Sequence, residues 1–159
     1  MQLSIEQQYA LQQFSEGKNL FVTGPGGTGK TKLIHHLVEN AKSVGKAYQV
    51  CAMTGCAAIL LNCNARTIHS WSGIKMARGP VEMVVASVLR NKRTVATWRK
   101  IKILIIDEVS MMSEKIFNIL NEIGKKMFGQ KLYKEASSIF ELGTTNTEAK
   151  NYVDDNMYY

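Results

Sequence analysis

Eight consecutive residues, Gly24-Pro25-Gly26-Gly27-Thr28-Gly29-Lys30-Thr31, constrain this chain more than any other stretch of it. They fit the spacing G-x-x-x-x-G-K-[ST]. The apolar run Leu20-Phe21-Val22 precedes them, and Leu33, Ile34, Leu37, Val38 and Ala41 follow at helical spacing before Gly45. A buried strand therefore runs through a glycine-rich turn directly into a helix. Glycines let the backbone wrap closely, so that its N–H groups converge on one point. The start of the helix adds its positive end there. Such a loop suits a row of phosphates: Lys30 supplies a mobile charge for the β- and γ-phosphates, and the Thr31 hydroxyl is placed to ligate Mg²⁺.

The second half of such a site needs an acid at the end of a neighbouring strand. Ile103-Leu104-Ile105-Ile106, the most apolar run in the chain, ends in Asp107-Glu108. In a parallel sheet both strands deliver their C-terminal ends to one edge, where ligands bind. Asp107 is expected to hold Mg²⁺ through water, and Glu108 to act as general base toward an attacking water. The adjacent glutamate favours a hydrolase over a kinase.

The remaining pattern alternates strands with helices and predicts an α/β fold, a parallel sheet flanked by helices. Ser4-Ile5-Glu6-Gln7 reads as a capping box opening a helix whose apolar face holds Ile5, Tyr9, Leu11 and Phe14. Tyr48 to Met53 reads as a strand, and Gly55 to Asn62, Val81 to Leu89 and Thr94 to Lys100 as helices. A further helix starts near Ser113, burying Ile116, Phe117, Leu120, Ile123 and Met127 and turning Glu114, Lys115 and Glu122 outward.

Charge is unevenly spread. Nine Lys and Arg (Arg66, Lys75, Arg78, Arg90, Lys92, Arg93, Arg99, Lys100, Lys102) stand against the single acid Glu82 between 66 and 102. That segment carries +8 of an overall +7, leaving −1 elsewhere. Such a block fits either a polyanion partner or a solvated face. Cys51, Cys56 and Cys63 have neither zinc-site nor disulfide spacing and are expected to be free thiols, buried or half-buried. His35, His36 and His69 lack ligand-like neighbours, so no structural metal is expected. No apolar run approaches the roughly 20 residues of a membrane span. No basic-then-apolar leader opens the chain, so an intracellular location is expected.

Five segments in order name a family: Leu3-Ser4-x-Glu6-Gln7; Thr23 to Thr31; Met53-Thr54-Gly55-Cys56-Ala57-Ala58; Thr67-Ile68-His69-Ser70-Trp71-Ser72-Gly73-Ile74; and Ile105 to Met112. Over roughly residues 3 to 128 the chain resembles the PIF-like and RecD-like DNA helicases of superfamily one. The resemblance implies a RecA-like ATP-binding fold and a Mg-ATP-driven motor moving 5′ to 3′ on single-stranded DNA. It implies that Gln7 reads the adenine edge, a role compatible with helix capping. It also implies that Thr54, Thr67 and His69 lie along the DNA track. His69 read alone is equally a satisfied, half-buried histidine, and Trp71 is either a base-stacking face or a core residue. Unwinding in repair, recombination or telomere maintenance would follow, in the nucleus or another DNA-containing compartment.

The chain departs from that pattern after Glu108. The family's next motif, a second motor domain and the arginine that domain supplies are not found, so the expectation is a truncated motor lobe that is not an autonomous helicase. Residues 1–128 are read as the N-terminal part of the ATP-binding domain, and 129–159 as a divergent, partly disordered tail. In this class a strand downstream of Asp107-Glu108 lies between the glycine-loop strand and the acidic strand. Ser137 to Leu142 is the one candidate, which would set Thr144, Thr145 or Asn146 near the phosphate-sensing position. The alternative readings are a remnant that holds nucleotide and single-stranded DNA without motor activity, and a P-loop ATPase of another kind, such as a clamp-loader-like regulator.

Overall fold

The computed structural model describes residues 3–136 and 138–143. In chain order the elements are α1 (Ile5–Ser15), β1 (Leu20–Thr23), α2 (Lys30–Ser43), β2 (Tyr48–Ala52), α3 (Gly55–Leu60), β3 (Arg66–Thr67), α4 (Ile68–Ser72), α5 (Val81–Arg90), α6 (Lys92–Lys100), β4 (Ile103–Asp107), α7 (Glu114–Ala136) and β5 (Ser138–Gly143). A single 3₁₀ turn, Val109–Met111, follows β4. The strands form one parallel sheet in the order β1-β5-β4-β2-β3.

Alternation along the central strands builds two cores. Val50 and Ala52 of β2, with Ile103 and Ile105 of β4, face Phe14 of α1 and Leu33, Ile34, Leu37 and Val38 of α2. Cys51, Leu104 and Ile106 face the other way, toward Ile68, Trp71, Val84, Val88, Trp98, Ile119 and Ile123. A strand buried on both faces must be apolar at every position, which is why β4 reads as an unbroken run.

β5 lies between β1 and β4, with Phe140 opposite both Leu20 and Ile105. The strand expected from Ser137 to Leu142 is thus present, shifted by one residue, and it closes what would otherwise be a gap of unpaired backbone groups. Thr144, Thr145 and Asn146, and the tail expected to be disordered, lie outside the described residues.

Three expectations need correction. Ile5 and Tyr9 are 82% and 63% exposed, while α1 turns Ala10, Leu11 and Phe14 to the core. The helical stripe that ends at Phe14 passes through Gln7, so a polar residue holds the position the apolar count had assigned to its neighbours. Along α7 the fully enclosed residues are Ile119 and Ile123; Phe117 is only half-buried, and Glu122 lies partly covered, paired with Lys125 at 3.1 Å. Cys56 is exposed on α3, whereas Cys51 is buried and Cys63 half-buried. Among the described residues, no helix is long and apolar enough to cross a membrane.

Candidate nucleotide-binding site

The loop between β1 and α2 is shaped by backbone conformations that only glycine adopts easily. Gly27 and Gly29 have φ of +78° and +80°. Gly29 is also the N-cap of α2, a position where it offers no side chain to the helix's first N–H groups. Those donors therefore face the loop's interior, where an anion would satisfy them. A second constraint falls on the same residue: a Cβ at Gly29 would stand 2.8 Å from the Gln7 Nε2.

Lys30 is held across the loop, its Nζ donating to the carbonyls of Gly24 and Pro25 at 2.8 Å each. The Thr28 hydroxyl donates to the Pro25 carbonyl at 2.9 Å and braces the turn from inside. Gly26 and Thr31 are exposed, Thr31 in the first turn of α2.

Across the sheet edge, β5 brings the two halves together: Thr23 pairs with Gly143, and Leu142 with Asp107. Asp107 is half-buried, and burial pushes its carboxyl above the usual carboxylate range. The Glu108 N–H, donating to Asp107 Oδ1 at 3.0 Å, pulls the other way. The Glu108 charge adds to the upward shift, and the Lys30 ammonium opposes it. Glu108 itself is exposed and left-handed, at φ 57° and ψ 39°. A non-glycine residue pays for that conformation, and such strain clusters at functional sites. The Glu108 carbonyl accepts from the Met111 N–H at 3.0 Å.

These residues fit Mg²⁺ and a nucleoside triphosphate. A hydroxyl at Thr31 and a carboxylate at Asp107, electrostatically under-compensated, are a minimal oxygen set for a cation that keeps most of its ligands as water and phosphate. Among the described residues there is no group of three or more His, Cys, Asp or Glu able to hold a metal on its own.

Gln7 serves the helix cap and the loop at once. Its Oε1 accepts from the Ser4 N–H at 3.0 Å, while the Gln7 N–H donates to Ser4 Oγ at 3.2 Å. Its Nε2 donates to the Thr28 carbonyl at 2.9 Å and the Gly29 carbonyl at 3.3 Å. The capping box thus sets the amide of Gln7 against the rim of the phosphate loop.

Thr54 and Thr67 stand at the same sheet edge, after β2 and at the end of β3, whose register pairs Ala52 with Thr67. Each caps a helix: Thr54 Oγ1 accepts from the Ala57 N–H, and Thr67 Oγ1 from the Ser70 N–H, both at 3.2 Å. His69 is half-buried on α4. Trp71 is in the core, 2% exposed, with its ring 4.8 Å from that of Trp98. It therefore presents no face to a base. All nine cations of the 66–102 block are exposed. Trp98 belongs to none of the five family segments, yet it joins Ser72 in this core. Ser72 is fully buried, and its carbonyl accepts from Trp98 Nε1 at 3.0 Å. The one signal for this pair was a second tryptophan within a basic segment.

Comparison with known proteins agrees with this geometry. Residues 2–140 match the PIF1-like helicase family. The chain is 40% identical over 126 residues to the ATP-dependent DNA helicase PIF1 of Candida albicans, covering 79% of this chain and 14% of that protein. It is 38% identical over 124 residues to the ATP-dependent DNA helicase PIF5 of Trypanosoma brucei brucei, covering 77% and 13%. The crystal structure of the Candida albicans Pif1 helicase superposes with a TM-score of 0.80 at 35% identity, over 90% of this chain and 32% of that one. Bacteroides Pif1 bound to single-stranded DNA superposes with a TM-score of 0.70 at 27% identity, over 98% and 37%. The chain thus spans about a seventh of the length of these curated relatives, and it belongs to the PIF1-like helicase family.

Proposed function

We propose that this chain is the ATP-binding lobe of a 5′ to 3′ DNA helicase motor, holding Mg-ATP at the loop between β1 and α2. The observation that carries the reading is the sheet edge at which β5 joins the strand entering the glycine loop to the strand ending in Asp107, with the uncapped start of α2 after the loop and a left-handed Glu108 after the acid. Gly24, Pro25, Gly26, Gly27, Thr28 and Gly29 wrap the phosphates, and Lys30 leaves its two carbonyl partners for the β- and γ-oxygens. Thr31, and Asp107 through water, would hold Mg²⁺, which would supply neutralisation of the charge that develops on the leaving phosphate. Glu108 takes the proton of the attacking water. Gln7 reads the adenine edge, exchanging loop carbonyls for the base. Thr54, Thr67 and His69 line the single-stranded DNA track.

A second motor lobe supplies the arginine that reaches the γ-phosphate, a contribution of about 10³–10⁵ in rate for such residues; the chain assayed by itself then binds nucleotide far better than it hydrolyses it. Unwinding in repair, recombination or telomere maintenance, in a DNA-containing compartment, is the corresponding cellular role.

The test is Mg-ATP binding and hydrolysis with and without single-stranded DNA, beside Lys30→Ala. Nucleotide binding that Lys30→Ala abolishes supports the reading; binding indifferent to Lys30 overturns it. The nine exposed cations also favour a second reading, a nucleotide- and DNA-binding module without a motor cycle. Binding of both ligands with no DNA-stimulated hydrolysis, even with a second lobe supplied, selects that one.

A further inference from the structure

α6 divides its surface by charge. At about 100° per residue, Lys92, Arg93, Ala96, Arg99 and Lys100 fall within an arc of about 120°. All five are exposed, while Trp98 on the opposite side is buried and Thr94, Val95 and Thr97 are half-buried. Among the described residues none of the four cations makes an ion pair. Arg90 at the end of α5 and Lys102 just before β4 are exposed as well.

Arg99 and Lys100, in the last turn of α6, suit the helix dipole, but the other two cations do not serve the helix. Lys92 and Arg93 occupy its first turn, which holds no acid, and there the helix dipole disfavours positive charge. Asn91 has to cap that turn instead, its Oδ1 accepting from the Arg93 and Thr94 N–H groups at 3.1 Å each. The uncompensated charge is directed outward.

The inner face fixes where the stripe stands. Trp98 packs against Trp71 with the two rings tilted by 39° and donates to the Ser72 carbonyl. Thr94 lies against the left-handed Gly73, where a Cβ would come within 2.6 Å of the Thr94 methyl carbon. α6 is thereby clamped to α4, the helix that carries His69 and is capped by Thr67.

We infer that the outer face of α6 is a phosphate-binding surface for the backbone of nucleic acid, held in fixed relation to Thr67 and His69. The inference rests on the DNA-binding reading above and assigns it a surface outside the family motifs. Lys92 and Arg99 are about 10 Å apart along the axis, the length of about three phosphates of one strand. The arc offers only Ala96 besides its cations, so it suits phosphates and lacks the apolar residues that would enter a membrane.

The experiment uses the whole chain. The variant Lys92→Gln/Arg93→Gln/Arg99→Gln/Lys100→Gln is compared with a charge-matched control, Lys18→Gln/Lys46→Gln/Lys115→Gln/Lys126→Gln. Binding to a fluorescent single-stranded oligonucleotide and to a duplex is followed across a salt series. Each lost phosphate contact should flatten the slope of log K against log salt by about 0.7 on the single strand and about 0.9 on the duplex. A slope flattened by two or more on either DNA, with the control unchanged, supports the surface and identifies the strand state it takes. Slopes unchanged on both, or equal flattening in the control, overturn it. Should the quadruple variant fail to fold, Lys92→Gln/Arg93→Gln is expected to give about half the effect, and no effect overturns the inference. A wild-type chain that binds neither DNA overturns the DNA-binding reading itself, which is a distinguishable failure.

Discussion

Asp107 is where function and stability oppose each other at the scale of one residue. Its carboxyl is raised, first by burial and then by the Glu108 charge. The folded protein therefore holds the proton to higher pH than the unfolded chain does. Between the ordinary carboxylate value and the raised one, the native state binds more protons, so stability falls as pH rises through that window. Above it the penalty for the buried charge is fully present. Asp107→Asn keeps an oxygen for the Glu108 N–H and removes the charge. It should raise the melting temperature at neutral pH, with the gain fading as pH falls through that window and gone below the ordinary carboxylate value. The same variant should weaken Mg²⁺-dependent nucleotide binding, because the carboxylate proposed to hold the cation is gone. Paired melting curves and nucleotide titrations across pH check both effects; a lower melting temperature at neutral pH would contradict this account.

At the scale of elements, the contact between α4 and α6 rests on few groups. Trp98 is 5% exposed and Ser72 fully buried, so their hydrogen bond has no solvent to replace it. Trp98→Phe preserves an aromatic ring beside Trp71 and deletes the donor. It leaves the Ser72 carbonyl without that donor in the core, at a cost of about 1–3 kcal/mol. Chemical denaturation should show that loss with the slope nearly unchanged, since the surface exposed on unfolding is nearly the same. Nucleotide affinity should hold, because β1, α2 and β4 are untouched. α7 shows a different dependence: Ile119 and Ile123 are completely enclosed against the same cluster, and they seat the helix that leads the chain back to β5.

At the scale of the whole molecule, the sheet depends on its last described strand. β5 contacts β1 on one side and β4 on the other, along four and five register pairs. Without it the strand leading into the glycine loop and the strand bearing Asp107 would have no common frame. Phe140→Pro removes one backbone donor from this central position and brings a ring into the ladder. Proline is tolerated at sheet edges and not in the middle. The variant should lose cooperative thermal unfolding, measured by circular dichroism, and with it nucleotide binding. Retained folding would mean that β1 and β4 find each other without β5.

The local chemistry of the site was legible because it is written in consecutive residues. Glycines at 27 and 29 permit left-handed backbone, a lysine and a threonine open the next helix, and two acids end an apolar run. Amphipathic spacing likewise located α2 and α5, and an unbroken apolar run located β4. What the sequence left open depends on contacts between distant residues. Parallel pairing uses backbone groups common to every residue, so the place of Ser138 to Gly143 between β1 and β4 was an expectation from the family resemblance and not from those residues themselves. The apolar face assigned to α1 failed for a similar reason, since counting hydrophobic residues gives no weight to a glutamine that two carbonyls of the phosphate loop require. Trp71 was open between core and surface until Trp98, 27 positions away, was seen to pack against it. The sequence by itself determined the loop, the acids and the α/β class, because local conformation and periodic burial are properties of short segments. Only the tertiary structure decided the strand order, the seat of Gln7 and the clamp beneath the basic helix, because each is a meeting of segments that local pattern does not encode.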